Sequence, residues 1–179
     1  DHKWRQSGLH WMQHRTDGFD FKEEKDKVTV VVRCRIAPPI LQKSFLCDYT
    51  YTIYGCGCVR LETHGVPVGE WPVLARIGLQ MTIPKEFENV TWFGLGPGES
   101  YADTRQAGKL GLFNMTVDEM YTPYVFPQEY GNRSDVRFAK FADKSGAGLM
   151  VRGEPHINFS ARWFSTENIE KARHTYDLV

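Results

Sequence analysis

Apolar residues in this chain fall into short runs with the two-residue period of strands, each closed off by glycine, proline or polar turn residues. Residues 28–36 (VTVVVRCRI) are rich in β-branched side chains, which fit a pleated surface, and Pro38-Pro39 ends the run because proline cannot donate to a strand ladder. Residues 46–54 (LCDYTYTIY) alternate, with Tyr49, Tyr51 and Ile53 on one face and Thr50, Thr52 and Tyr54 on the other. Gly55-Cys56-Gly57 supplies a hairpin turn, since glycine accepts the positive φ such a turn needs, and residues 58–63 form the returning strand. Further strands are predicted at 76–83, 90–94, 124–126, 136–142, 148–153 and 156–164. One helix is predicted, over 166–176. Ser165 or Thr166 caps it, Glu167 and Glu170 lie near its start, and Lys171, Arg173 and His174 near its end, as the helix dipole favours. Many short strands with one helix predict an all-β sandwich or barrel. The 65–72 stretch reads as a loop rather than a junction, so residues 1–179 read as a single domain.

Composition narrows the ligand rather than the fold. In 179 residues, 22 Lys+Arg balance 22 Asp+Glu, so there is no basic surplus to attract nucleic acid or anionic lipid. Hydrophobic content of 41% and charged content of 25% exclude a disordered chain. No apolar run approaches the ~18 residues of a membrane span, and no N-terminal apolar segment reads as a signal peptide. Five Trp, eight Tyr and eleven Phe keep a neutral ligand open. The chain opens without Met and closes straight after a helical segment, as a piece of something longer would.

Cys34, Cys47, Cys56 and Cys58 would permit three pairings in an oxidising compartment. Cys56-Gly57-Cys58 is too close for an unstrained bridge to itself and lacks the second pair of a zinc ribbon. We read the four as reduced structural thiols in a cytoplasmic protein. Asn89, Asn114, Asn132 and Asn158 head glycosylation sequons, which matter only in a secretory setting and keep a secreted or periplasmic location open.

Candidate chemistry is sparse. His10 and His14 have zinc-protease spacing, but Trp11 stands where the motif needs its glutamate. Gly94-Leu95-Gly96-Pro97-Gly98 resembles a phosphate cradle, yet Pro97 removes an amide donor and no Gly-Lys-Ser/Thr follows, so a tight structural loop is expected. Glu99, Asp103, Glu119, Glu129, Asp135 and Glu154 could supply the paired carboxylates of a glycosidase, but sequence spacing does not say which would meet.

Three segments in order go further: Ala75-Arg76-Ile77-Gly78-Leu79, then the run 92–105 (WFGLGPGESYADTR), then the run 120–133 (MYTPYVFPQEYGNR). Together they resemble the C-terminal region, or small chain, of family 2 glycoside hydrolase β-galactosidases. The opening run 4–9 (WRQSGL) and the later Phe159-Ser160-Ala161-Arg162 resemble other parts of that region, so the likeness covers nearly the whole chain. It departs from the pattern at Thr104, inserted between Asp103 and Arg105, and at Tyr130, where the family commonly has Asn.

The resemblance implies a β-supersandwich of the galactose mutarotase type, and a parent enzyme that hydrolyses terminal β-galactosides such as lactose with retention. It places both catalytic glutamates in a (β/α)8 barrel outside this chain, in the same polypeptide or a large subunit. The stacking tryptophan this region lends to the active site lies beyond the final helix, past Val179. It implies no cofactor here; the parent's Mg and Na or K sites lie elsewhere. Catalytic residues are therefore none, and Asp103, Arg105, Glu129 and Arg133 are the candidates for substrate contact. The physical reading beside it is structural: Arg105 and Arg133 form bidentate bonds with carboxylates, Asp103 and Glu129 being candidate partners, while Pro123 and Pro127 hold an extended path and Tyr121, Tyr124 and Phe126 pack. Two other readings stay open: a stand-alone aldose mutarotase or epimerase, for which His64 and His156 are the best-placed histidines, and a non-catalytic carbohydrate-binding module.

Overall fold

The computed structural model describes residues 2–40 and 42–178. They form two compact units, Asp1–Leu79 and Gln80–Val179. Each is built on one four-stranded sheet, and every strand pair is antiparallel, so the all-β class is as predicted.

In the first unit a short helix α1 (His2–Gln6) precedes a meander of β1 (Gln13–Glu23), β2 (Lys27–Ala37), β3 (Ser44–Tyr54) and β4 (Val59–Val68), which lie side by side in chain order. β2 and β3 are the predicted strands, and Gly57 closes the β3–β4 turn at φ 86. β1 is new. Its sequence, QHRTDGFDFKE, is almost wholly polar and exposed, so no apolar face announces it; it forms as an edge strand on the β-branched β2. Asp17 is the extra residue of a bulge in that pair, where its carboxylate meets Arg15 at 2.6 Å and Arg35 at 3.6 Å. β4 runs on through Gly65, Val66 and Pro67 to Val68, so the predicted 65–72 loop is strand over its first half. Pro67 is tolerated because β4 is an edge, where a missing amide breaks no second ladder. In the strands of this unit only Cys34, Ser44 and Cys47 are buried. The predicted strand at 76–83 does not form among the described residues.

The second unit holds the larger core. Its sheet has the order β6-β5-β7-β8, from β5 (Asn89–Gly96), β6 (Lys109–Thr116), β7 (Arg133–Ala142) and β8 (Gly148–Phe159). β5 alternates strictly, burying Val90, Trp92, Gly94 and Gly96. Trp92 is fully buried between Phe113, 5.4 Å away, and Phe159, 6.1 Å away edge-on. Val117, Met120, Val136, Ala139 and Ala161 complete the cluster. Losing a buried tryptophan from such a cluster costs about 3–5 kcal/mol. The predicted strands 148–153 and 156–164 are one strand ending at Phe159, and β6, another edge strand, went unpredicted. Residues 124–126 are irregular rather than a strand, between the two prolines.

The helix α2 is shorter than predicted, Thr166–Lys171. Ser165 caps it as expected: its hydroxyl accepts from the Asn168 amide at 3.2 Å, and the Asn168 side chain accepts in return from the Ser165 amide at 3.3 Å. It stops because the Asp177 carboxylate accepts from the Arg173 and His174 amides at 3.0 and 2.9 Å, giving them a partner outside the helix. A separate 3-10 turn, Thr175–Asp177, follows.

Candidate functional site

The motif runs converge on one carboxylate. β5 ends at Gly96, and three residues later Glu99 meets the irregular 120–132 segment. One Glu99 oxygen accepts from the Gly131 amide at 2.8 Å and the Thr122 hydroxyl at 3.0 Å; the other accepts from the Tyr124 hydroxyl. Gly131 stands at φ 78, a conformation costly for any other side chain. Burial pushes the Glu99 carboxyl up, but the Gly131 amide, the two hydroxyls and the nearby Arg133 charge outweigh it and hold it below the usual range. Both oxygens are committed to donors and the group is held ionised. The carboxylate ties two chain segments together.

The residues around it serve the same end. Ser100 is buried, and its amide donates to the Asn132 carbonyl at 2.7 Å while its hydroxyl accepts from the Ser134 amide at 3.0 Å. Asn132 and Ser134 both donate to the Ser100 carbonyl, at 2.6 and 2.9 Å. Next to this stitch, burial pushes the Tyr101 phenol up to about 12.

Arg133, a predicted contact residue, is 2% exposed. Its guanidinium lies 5.3 Å over the Trp92 ring, and it donates to the Gly131 carbonyl at 3.0 Å. Burial lowers its affinity for the proton, while Glu99 acts in the opposite sense. This cation is a buried group that feels the Glu99 charge through space.

Arg105 forms its ion pair with Asp135, not with its sequence neighbour Asp103. Asp135 also lies 3.3 Å from His156 Nε2, and its amide donates to Asn158 Oδ1 at 3.3 Å. It sits at φ 54 in an irregular stretch of the β7–β8 register, the one non-glycine residue with positive φ among those described. Register explains the exchange of partners: the bulged β7 turns residue 135 to the 3-10 turn Arg105–Ala107, which the linear sequence does not reveal. Asp103 and Glu129 are exposed. Of the other predicted packing residues, Tyr121 stands edge-on to Tyr130 at 5.0 Å, whereas Phe126 is 65% exposed and does not pack.

The remaining candidates have structural placements. His10 sits in a 3-10 turn and His14 is the second residue of β1, so they share neither a helix nor a strand face. Among the described residues no three His, Cys, Asp or Glu side chains are grouped to hold a metal ion. The supposed phosphate cradle is a packing device: a Cβ on Gly94 would lie 2.6 Å from Val136 Cγ2, and one on Gly96 2.7 Å from the Phe113 ring. Three sequon asparagines donate from their side-chain amides within the chain, Asn89 to the Ala142 carbonyl, the exposed Asn114 to the Thr91 hydroxyl and Asn132 to the Ser100 carbonyl. Glu99 was the residue sequence reasoning undervalued. The signal was present, since the glutamate sits inside one motif and its donors inside the next.

A family model described as the beta galactosidase small chain matches residues 1–179. A beta-galactosidase of Priestia megaterium is 36% identical over 132 residues, 74% of this chain and 13% of that protein. One from Vibrio cholerae is 37% identical over 131 residues, 73% of this chain and 12% of that protein. One from Leuconostoc mesenteroides is 31% identical over 182 residues, covering 98% of this chain and 17% of that protein. The chain thus spans only 12–17% of the length of the curated relatives it matches. With both motif runs joined at Glu99 and the family model matching throughout, the chain belongs to the beta-galactosidase small-chain family.

Proposed function

We propose that this chain is the C-terminal structural and active-site-flanking part of a retaining β-galactosidase that hydrolyses terminal β-D-galactosides such as lactose, and that it is catalytically silent alone. Family membership supports the assignment to a β-galactosidase, and the small share of its relatives' length supports a role as part of a larger enzyme. The observation that carries the silent role is the commitment of Glu99: the best-buried motif carboxylate accepts three hydrogen bonds and keeps its charge. A retaining hydrolase needs one free carboxylate nucleophile and one carboxylic acid that gives up its proton, about 5 Å apart. Glu99 suits neither role. In this reading both glutamates come from a (β/α)8 barrel elsewhere in the enzyme, and the two sheets form part of a β-supersandwich beside it.

Glu99→Gln in the full-length enzyme tests this. A structural Glu99 predicts a lower melting temperature, with kcat per folded molecule changed less than about tenfold. A catalytic Glu99 would cost on the order of 100-fold or more in kcat with the melting temperature unmoved, and that result would overturn the proposal.

A further inference from the structure

The sheet of the second unit has two faces, and the core fills one of them. Trp92 on β5 pairs with Phe113 on β6 and Ala139 on β7, and all three belong to the core cluster. Successive residues of a strand point to opposite sides, so their neighbours face the other way. There Leu112, Phe93, Phe138 and Arg152 stand in one row across β6, β5, β7 and β8. Asn114, Thr91, Lys140 and Met150 form the row on one side of it, and Leu110 pairs with Leu95 on the other.

This second face is apolar at its centre and open to water. Leu110, Leu112 and Met150 are 54%, 65% and 55% exposed. The Phe93 and Phe138 rings stack at 6.5 Å, and the Arg137 guanidinium lies 5.8 Å over Phe93. The charges are all of one sign. Lys140 and Arg152 stand in the rows, Arg137 covers the first of them, and none of the rows contains an Asp or Glu. Among the described residues no carboxylate pairs with Lys140 or Arg152.

A contiguous exposed apolar surface rimmed by charge is the form of a docking site, and here the sign of the charge selects the partner. A second copy of this chain stacked on the face would add its own three cations with no acid to meet them, which disfavours self-association. An apolar segment that carries carboxylates satisfies both features. Its apolar side chains cover the leucines and phenylalanines, and its acids meet Lys140, Arg137 and Arg152. The chain spans 12–17% of the length of the relatives it matches, so most of such an enzyme lies outside it and can supply that segment.

We propose that the outer face of the β6-β5-β7-β8 sheet docks an acidic, amphipathic segment lying outside residues 1–179 of the same enzyme. The proposal rests on the reading of this chain as part of a larger enzyme. Loss of water from Leu110, Leu112 and Met150 drives the contact, and the three cations fix which way round the segment lies.

Two measurements on the full-length enzyme test this. In the first, lysines are acetylated over a time course with an N-hydroxysuccinimide ester and, separately, coupled to carboxylates with a zero-length carbodiimide, both mapped by peptide mass spectrometry. Lys140 should acetylate about tenfold or more slowly than Lys144, an exposed lysine of the β7–β8 turn, because docking excludes water from it. It should couple to an Asp or Glu outside residues 1–179. In the second, Leu112→Asp should lower the melting temperature by setting a charge against the docked apolar side chains, while Lys144→Glu should leave it unmoved. A Lys140 that acetylates as fast as Lys144, a Lys140 that finds no acid outside residues 1–179 (a second copy's acids included), or an unmoved melting temperature in Leu112→Asp would each overturn the proposal. None of these readouts is hydrolysis. A docked face in an enzyme without galactosidase activity would therefore refute the galactosidase reading and leave this one standing.

Discussion

The Glu99 carboxylate accepts the Gly131 amide at 2.8 Å, joining residues 32 positions apart across two motif runs. Tyr124 and Thr122 complete the acceptor capacity of the carboxylate, and Arg133, stacked on Trp92, supplies the compensating charge. Glu99→Gln keeps the shape but puts an amide group among donors. It should therefore cost about 1–3 kcal/mol of folding stability in urea titrations. Glu99→Ala should cost more, because Arg133 stays buried with its counter-charge removed.

The acid limb of stability follows from the same group. Its folded pKa lies below the unfolded value of about 4.3, so its contribution is complete above that pH and is lost as pH falls through the lower folded value. Urea midpoints measured from pH 7 down to pH 3 should show a fall that Glu99→Gln removes. An equal fall in the variant would assign the acid sensitivity to other carboxylates.

At the alkaline end the sign reverses. Burial raises the Tyr101 and Tyr130 phenols to about 12, so both favour the neutral form in the fold. Their stabilisation is complete below about pH 10 and fades as pH rises through about 12. Spectrophotometric titration of tyrosinate should show Tyr101 and Tyr130 among the late-titrating tyrosines, and the late phase should move to about pH 10 in denaturant.

The glycines of the 94–98 run should separate by packing. Gly94→Ala places its Cβ 2.6 Å from Val136 Cγ2 and 2.8 Å from Val136 Cα, which is backbone that gives way poorly. A loss of about 1–3 kcal/mol is expected. Gly98→Ala meets nothing within 4 Å and should stay within about 0.5 kcal/mol of wild type. Paired chemical denaturation curves check both.

Asp135 isolates a backbone effect. Asp135→Gly and Asp135→Ala both remove the carboxylate that meets Arg105 and His156, but only alanine must hold φ 54 with a Cβ. Asp135→Ala should be the less stable of the two by about 1 kcal/mol in thermal melts. Equal melting temperatures would mean that the turn relaxes once its carboxylate is gone.

Much of the fold was legible where burial and propensity agree. β2, β5 and β7 lie inside their sheets, carry β-branched or aromatic residues and were predicted close to their bounds. The strands that escaped, β1 and β6, are sheet edges, and β1 is made by its neighbour's ladder rather than by an apolar face of its own. The site was legible as motifs but not as contacts. Arg105 chose Asp135 because of a bulge, and Arg133 entered the core on the face of Trp92; neither follows from spacing along the chain. The pairing of Glu99 with Gly131 needed the path of the chain between them.

Hydrolysis of a chromogenic β-galactoside tests the proposed role of this chain as a catalytically silent part of a galactosidase. The chain alone should release no chromophore above buffer, while adding the remainder of the polypeptide in trans should restore turnover. Robust turnover by the chain alone, abolished by Glu99→Gln, would mean that the chain carries an active site of its own.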